Sequence, residues 1–384
     1  MHPIKKIDIS RRDLITAGAS ALVTLSTPSL SSTENDEGLR ARANRKGIWI
    51  GSCLDVLQIR DTQLVNSLGR DCNILIPENG FNWTRLQRTP GAPLDFREAD
   101  AIATVAKHLG IALRGHNLIW YATMPPWVAE LVPTLTATQA ANLMTSHVTA
   151  VASHWRGRVV HQEPVNEPTE APGKLRSAVF GAKLGERYID LAFEAARQAD
   201  PNAILFINES GIEQETPWQT GCRTTFLKLL ERLKKRNVPV DAVGVQGHLA
   251  LDARFSEAAY SQMLKDISDM GYKIMITEFD VADRGILGSS ASRDAAVAAI
   301  GKAFLDASFD NPACGGVLDW SHVDKYSWLQ KKENAQRNDA QALRPSPLDD
   351  SYIRKPLWYA IAAAIDGATN RQASNQVGDV HLPF

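Results

Sequence analysis

Residues 158–168 read Arg158-Val159-Val160-His161-Gln162-Glu163-Pro164-Val165-Asn166-Glu167-Pro168. A β-branched run ends in an amide beside a carboxylate and is closed by proline. A buried strand delivers polar groups to the loop that follows it in this way. Residues 273–280, Lys273-Ile274-Met275-Ile276-Thr277-Glu278-Phe279-Asp280, repeat the arrangement with a second carboxylate. Two glutamates at the ends of separate strands become a pair only if the chain between them closes a sheet that brings those ends together. The number of strand-and-helix units around them therefore decides the fold.

Eight units are legible. Strands are predicted over 48–53, 72–76, 111–114, 159–165, 203–207, 242–246, 273–277 and 316–318. Segments of helical period lie between and after them, at 96–109, 137–155, 185–198, 224–235, 257–270, 293–307 and 357–365. In the first, Ala99, Ile102, Val105, Ala106 and Leu109 keep one apolar face, and Gly110 stands where a C-cap glycine belongs. Such alternation predicts a parallel sheet with right-handed crossovers, and eight strands close a barrel. An open doubly wound sheet is the structural alternative, but no G-x-G-x-x-G follows the first strand and no P-loop occurs. The expected fold is an α/β (β/α)8 barrel in one domain over 47–366, with a tail over 367–384.

Ahead of the barrel, Lys5 and Lys6 lead into Ser10-Arg11-Arg12-Asp13-Leu14-Ile15 and a mildly apolar run to Leu30. The order is that of a twin-arginine export signal over 1–31, which points to a periplasmic or extracellular protein. Ser, Thr, Gly and Pro interrupt the run too often for a stable membrane span. Residues 32–46 are polar and charged and are expected to be a linker.

Composition narrows the partners. Lys and Arg total 42 against 43 Asp and Glu, so the basic excess of a nucleic-acid or acidic-membrane binder is missing. Cys53, Cys72, Cys222 and Cys314 form no C-x-x-C pair and no metal spacing with His; their disulfide state stays open. Several of the nine tryptophans follow strands, where an indole is either core packing or a platform for a flat sugar face.

A barrel enzyme builds its site on the C-terminal ends of strands. Those ends carry Glu78-Asn79 with Trp83, Gly115-His116-Asn117-Leu118-Ile119-Trp120, Asn166-Glu167, Asn208-Glu209, Gln246-Gly247-His248, Glu278-Phe279-Asp280, and Trp320 with Asp324 and Trp328. Together they describe a polar cleft with aromatic walls. These motifs, in this order and on these strands, resemble glycoside hydrolase family 10, the endo-β-1,4-xylanases. The resemblance covers nearly all of the chain after residue 46.

The resemblance implies a cofactor-free, metal-free retaining hydrolase of β-1,4-linked polysaccharide or oligosaccharide, xylan above all, that works as a monomer with no membrane partner. Glu167 takes the acid/base position and Glu278 the nucleophile position. Asn166 would hold the sugar 2-hydroxyl. Gln246, His248 and Asp280 would orient the nucleophile and keep it ionised. Glu78, Asn79, His116, Trp120, Trp320 and Trp328 fall at contacts to the sugars on the glycone side. The chain departs from the family at Gln162-Glu163-Pro164, where Trp-Asp is usual, and at Asn82, where lysine is common. It departs again at Tyr121 and Thr123 for His and Gln, and at Ser210-Gly211 for Tyr-Asn. These changes leave open a β-1,4-glucanase, a hydrolase preferring short xylo-oligosaccharides, or a barrel that binds sugars without turnover.

Overall fold

The computed structural model describes residues 37–331 and 337–371. The export signal read at 1–31 lies outside the described residues. Eight parallel strands run in chain order round a ring: β1 (Trp49–Leu54), β2 (Ile74–Pro77), β3 (Ala112–Gly115), β4 (His161–Asn166), β5 (Ile204–Glu209), β6 (Ala242–Val245), β7 (Lys273–Ala282) and β8 (Cys314–Asp319). β8 pairs with β7 on one side and β1 on the other, which closes the barrel. The (β/α)8 fold expected from the sequence is the fold observed. The crossover helices include Arg97–Leu109, Ala137–Trp155, Arg187–Ala199, Pro217–Lys235, Glu257–Asp269 and Ser290–Asp310, with Pro356–Gly367 after β8.

Strand alternation divides the core in two. Ile74 and Ile76 join Cys53, Ala112, Phe206, Ala242, Met275 and Leu318 in one cluster built from strands alone, which fills the barrel interior. Leu75, between them, faces the helices and belongs to the larger outer cluster. The interior also holds charge. Arg114 and Glu163 are fully buried; their contact is 2.6 Å, and the guanidinium lies 4.3 Å from the centre of the Phe206 ring. All four cysteines are free and buried.

One boundary differs from the sequence reading. Residues 39–46, taken as the end of a polar linker, form the helix Leu39–Lys46. Its charged composition conceals an i, i+4 pair, Leu39 and Ala43, that is buried, and Gly47 ends it in the left-handed conformation at φ 64°. The Leu39 N–H donates to Asp71 Oδ1 (3.0 Å), and the Lys46 carbonyl accepts from the Arg371 N–H (2.7 Å). The buried Arg371 in turn donates Nε–H to the Cys314 carbonyl (3.1 Å). The packed body therefore reaches beyond 47–366 at both ends. No helix among the described residues is long and apolar enough to cross a membrane.

Near the two glutamates the ladder is irregular. The β4–β5 register shifts between Gln162 and Val165, and Pro164, which has no N–H to give, falls inside that shift. The β7–β8 register shifts between Ile276 and Phe279, around Glu278. Such irregularities re-aim side chains at the rim of a barrel.

Candidate active site

Glu278 belongs to β7 and Glu167 follows β4 directly, so both stand at the C-terminal rim. Glu278 Oε1 accepts from Asn208 Nδ2 (2.8 Å), and Oε2 lies 3.3 Å from His248 Nε2. His248 Nδ1 is 2.9 Å from Asp280 Oδ1, while Asp280 Oδ2 accepts from the Trp328 indole N–H (2.7 Å). Burial works against a charged imidazole at His248. The Asp280 and Glu278 carboxylates outweigh it and push the group up to about 10. A cationic His248 therefore donates from both nitrogens. Burial likewise favours the neutral acid at Glu278, but the His248 hydrogen bond, the nearby His116 and the Asn208 amide hold its carboxyl below the ordinary range. Glu278 is thus kept as an anion in a buried position.

Glu167 is held differently. Its Oε2 accepts from the Trp120 indole N–H (2.9 Å) and its Oε1 from Gln246 Nε2 (3.0 Å). Its backbone is left-handed at φ 51°, uncommon for a residue with a side chain, and its N–H donates to the Asn208 carbonyl (2.8 Å). Asn208 joins the halves of the site. Its Nδ2 group donates to Asn166 Oδ1 (3.0 Å) as well as to Glu278, and its own Oδ1 accepts from the Thr277 hydroxyl (2.6 Å). Gly244 gives it room: a Cβ there would stand 2.1 Å from Asn208 Oδ1.

His116 stands beside Glu278, with Nδ1 3.9 Å from Oε1 and 3.0 Å from Glu163 Oε1. Burial opposes its protonation, and the Glu163 charge more than offsets that, raising its pKa. Trp320 meets His116 edge-on with ring centres 5.0 Å apart, and Trp328 lies 4.9 Å from His248. Asn166, Glu167, Gln246, His248, Glu278, Asp280, His116, Trp120, Trp320 and Trp328 are therefore linked contact by contact. Glu78 and Asn79 stand at the end of β2, with Glu78 within electrostatic reach of His116. Asn79 Nδ2 donates to Asp55 (3.1 Å), and Asn79 Oδ1 accepts from Asn82 Nδ2 (3.1 Å). Burial and the Asp55 charge raise Glu78 to about 7.

The structure adds residues to which the sequence reading gave no role. Asn208 was visible only as a polar residue closing an apolar strand. Glu163, noted in the sequence only as part of the departure at Gln162-Glu163-Pro164, pairs with Arg114 and His116 in the interior. Two more carboxyls lie near Glu167 in the chain or in the fold, and Glu170 is exposed on the short hairpin after β4. Glu209 is buried and accepts from the Thr169 and Ser210 N–H groups (2.9 and 3.0 Å). Burial and the neighbouring Glu167 push Glu209 up to about 8. Among the described residues no group of three or more His, Cys, Asp or Glu is placed to hold a metal ion.

A buried anionic carboxylate facing a second carboxyl among aromatic walls is an arrangement suited to splitting acetals. Known proteins agree with that chemistry. The chain is 33% identical over 318 residues to endo-1,4-beta-xylanase C of Phanerodontia chrysosporium, covering 82% of this chain and 76% of that protein. It is 30% identical over 332 residues to an endo-1,4-beta-xylanase of Agaricus bisporus, covering 86% and 93%. The crystal structure of native xylanase 10B from Thermotoga maritima superposes with a TM-score of 0.78 at 28% identity, covering 86% of this chain and 98% of that one. Xylanase 10B from Thermotoga petrophila, solved with xylobiose, gives 0.78 at 27%, covering 87% and 99%. The model of glycosyl hydrolase family 10 matches residues 38–364, and the chain belongs to that family.

Proposed function

We propose that this chain is a retaining endo-β-1,4-xylanase that cleaves internal bonds of xylan by double displacement. The observation that carries the reading is the unequal treatment of the two carboxyls: Glu278 is held as an anion by Asn208 and His248, and Glu167 stands across the rim on Trp120 and Gln246. In the first step a Glu278 oxygen attacks the anomeric carbon while Glu167 gives its proton to the glycosidic oxygen. The carbon–oxygen bond breaks, the shortened chain leaves, and a glycosyl ester of Glu278 remains. In the second step Glu167 takes a proton from water, which displaces Glu278 with net retention. Asn166 bonds the sugar 2-hydroxyl, a contact that strengthens as the ring gains oxocarbenium character. Xylan as substrate is supported by family membership and by the xylanases to which the chain is similar. The pair Arg11-Arg12 and the run behind it support export.

Asn82 favours keeping a second substrate class in the test. Where the family commonly offers a lysine to the sugar, this amide is buried and donates to Asn79. Loss of such a contact weakens uniform binding and raises KM before it lowers kcat. Product anomers from xylohexaose, followed by NMR during the first turnovers, test the mechanism, and initial α-product refutes retention. Reducing-end release from xylan, carboxymethyl-cellulose and short xylo-oligosaccharides tests the substrate. Activity confined to the glucan refutes the xylanase reading.

A further inference from the structure

We propose that Trp218 is an aromatic shelf for the sugars on the leaving-group side of the scissile bond. The inference rests on the reading of the site as a xylan cleft and adds a residue to which nothing above gives a role. The glycone contacts read from the sequence lie after β2, β3 and β8. Glu167, which serves the glycosidic oxygen, follows β4, so the leaving chain runs over the loops after β4 and β5. Those loops are tied together: Glu209, at the end of β5, accepts from the N–H of Thr169 after β4 (2.9 Å). The hairpin after β4 leans on the helix Pro217–Lys235 through the Gly173 N–H, which donates to Thr225 Oγ1 (2.7 Å).

Trp218 sits at the start of that helix with 50% of its surface exposed, whereas the other eight tryptophans are buried or half-buried. Exposure alone would say little, since Leu57, Leu287, Ile353 and Tyr359 are exposed as well; the place of this indole, at the start of the helix after β5, is what singles it out. It is also fixed. The ring rests on the backbone of Gly211, two residues beyond Glu209, where a Cβ would stand 2.5 Å from Trp218 Cζ3. The ring is thus pinned at its Cζ3 edge, and half of its surface is left to solvent on the side of the barrel that carries Glu167. The end of β5, where the family usually carries Tyr-Asn, offers only Ser210-Gly211 here. Trp218 supplies from the helix the aromatic surface that the strand end lacks. Further along the same helix, the hairpin and helix together wall an open groove of about 430 Å³, with Pro172, Leu175, Gly221, Thr225 and Lys228 in its lining.

The test compares wild type, Trp218→Ala and Trp218→Phe on xylohexaose and on an aryl β-xylobioside, whose leaving group is a single ring beside Glu167. Trp218→Ala is expected to lower kcat/KM on xylohexaose about 5–10-fold, mostly through KM, as the loss of one aromatic stacking partner predicts. The aryl xylobioside should be cleaved at an unchanged rate, and Trp218→Phe should recover most of the loss. Gly211→Asn, which tolerates φ +63° but drives the indole off its seat, should reproduce the alanine result. Unchanged xylohexaose cleavage by Trp218→Ala, or an equal loss on both substrates, overturns the shelf. A wild type inactive on both substrates overturns the xylanase reading, and the shelf with it.

Discussion

Replacing His248 by glutamine should move the acid limb of kcat/KM upward by about one pH unit. Glutamine still offers an N–H toward Glu278 Oε2, 3.3 Å from the present Nε2, so the change removes charge while keeping a donor. The glutamine bond still ends on an anion, so what is lost is the attraction of the cation, at least about 1 kcal/mol for unit charges about 4 Å apart even at the dielectric of bulk water. That is close to one pKa unit. The sign follows from the charges: Glu278 is held low by a cationic neighbour, so losing that cation raises its pKa and demands a higher pH for ionisation. The same change takes away the partner of Asp280 Oδ1, 2.9 Å from the present Nδ1. The assay is kcat/KM on an aryl β-xylobioside from pH 3 to 9, with circular dichroism as a control for folding. An acid limb that stays put, or moves down, in a folded variant refutes the assignment of that limb to Glu278 under His248 control.

Glu278→Ala should abolish turnover on every substrate, whereas Glu167→Ala should lose about 10²–10⁴-fold on xylan yet spare substrates whose leaving group needs no proton, read by parallel assays on xylan and a dinitrophenyl glycoside. Glu163→Gln leaves Arg114 buried without its anion and should cost about 3–5 kcal/mol of stability, measured by chemical denaturation; an unchanged midpoint would show that the interior pair carries no weight. His322, between Asp319 (2.9 Å) and Asp71 (3.3 Å), is pushed up to about 9 because those two carboxylates overcome its burial. Its contribution to stability is fully present below about pH 6.5 and fades as the pH rises through about 9, so His322→Gln should flatten the fall of Tm across that window. Glu209, raised to about 8, is largely protonated at pH 6, and Glu209→Gln should keep kcat there within about twofold.

The barrel was legible because its determinants are local: eight β-branched runs alternating with helical periods, and polar residues massed at one end of each run. Glu167, Glu278, His248 and Asp280 could be singled out for the same reason, since each sits at or just past a strand end. Their partners were less visible because partnership is set by register around the ring. Nothing near Asn208 in sequence says that its amide bridges Asn166 to Glu278, or that Gly244 on the next strand makes the space. Glu163 was legible as a strand residue but not as an interior charge, because its partner Arg114 is 49 residues away on β3. The helix Leu39–Lys46 was hidden by its own charges, with two buried side chains too few to mark a period. Trp218 stood among nine tryptophans, and only its exposure separates it from the rest.

The left-handed backbone at Glu167 bears on how this protein could be engineered. A residue with a Cβ held at φ 51° gives up about 1–2 kcal/mol that glycine would not. Glycine at 167 would relieve that strain and remove the proton donor of the proposed mechanism in one change. A library ranked by melting temperature alone would therefore enrich for substitutions at this position and drift toward proteins that are sturdier and inert. Selection for heat resistance in this chain has to be run with turnover as a second gate, or with position 167 held fixed.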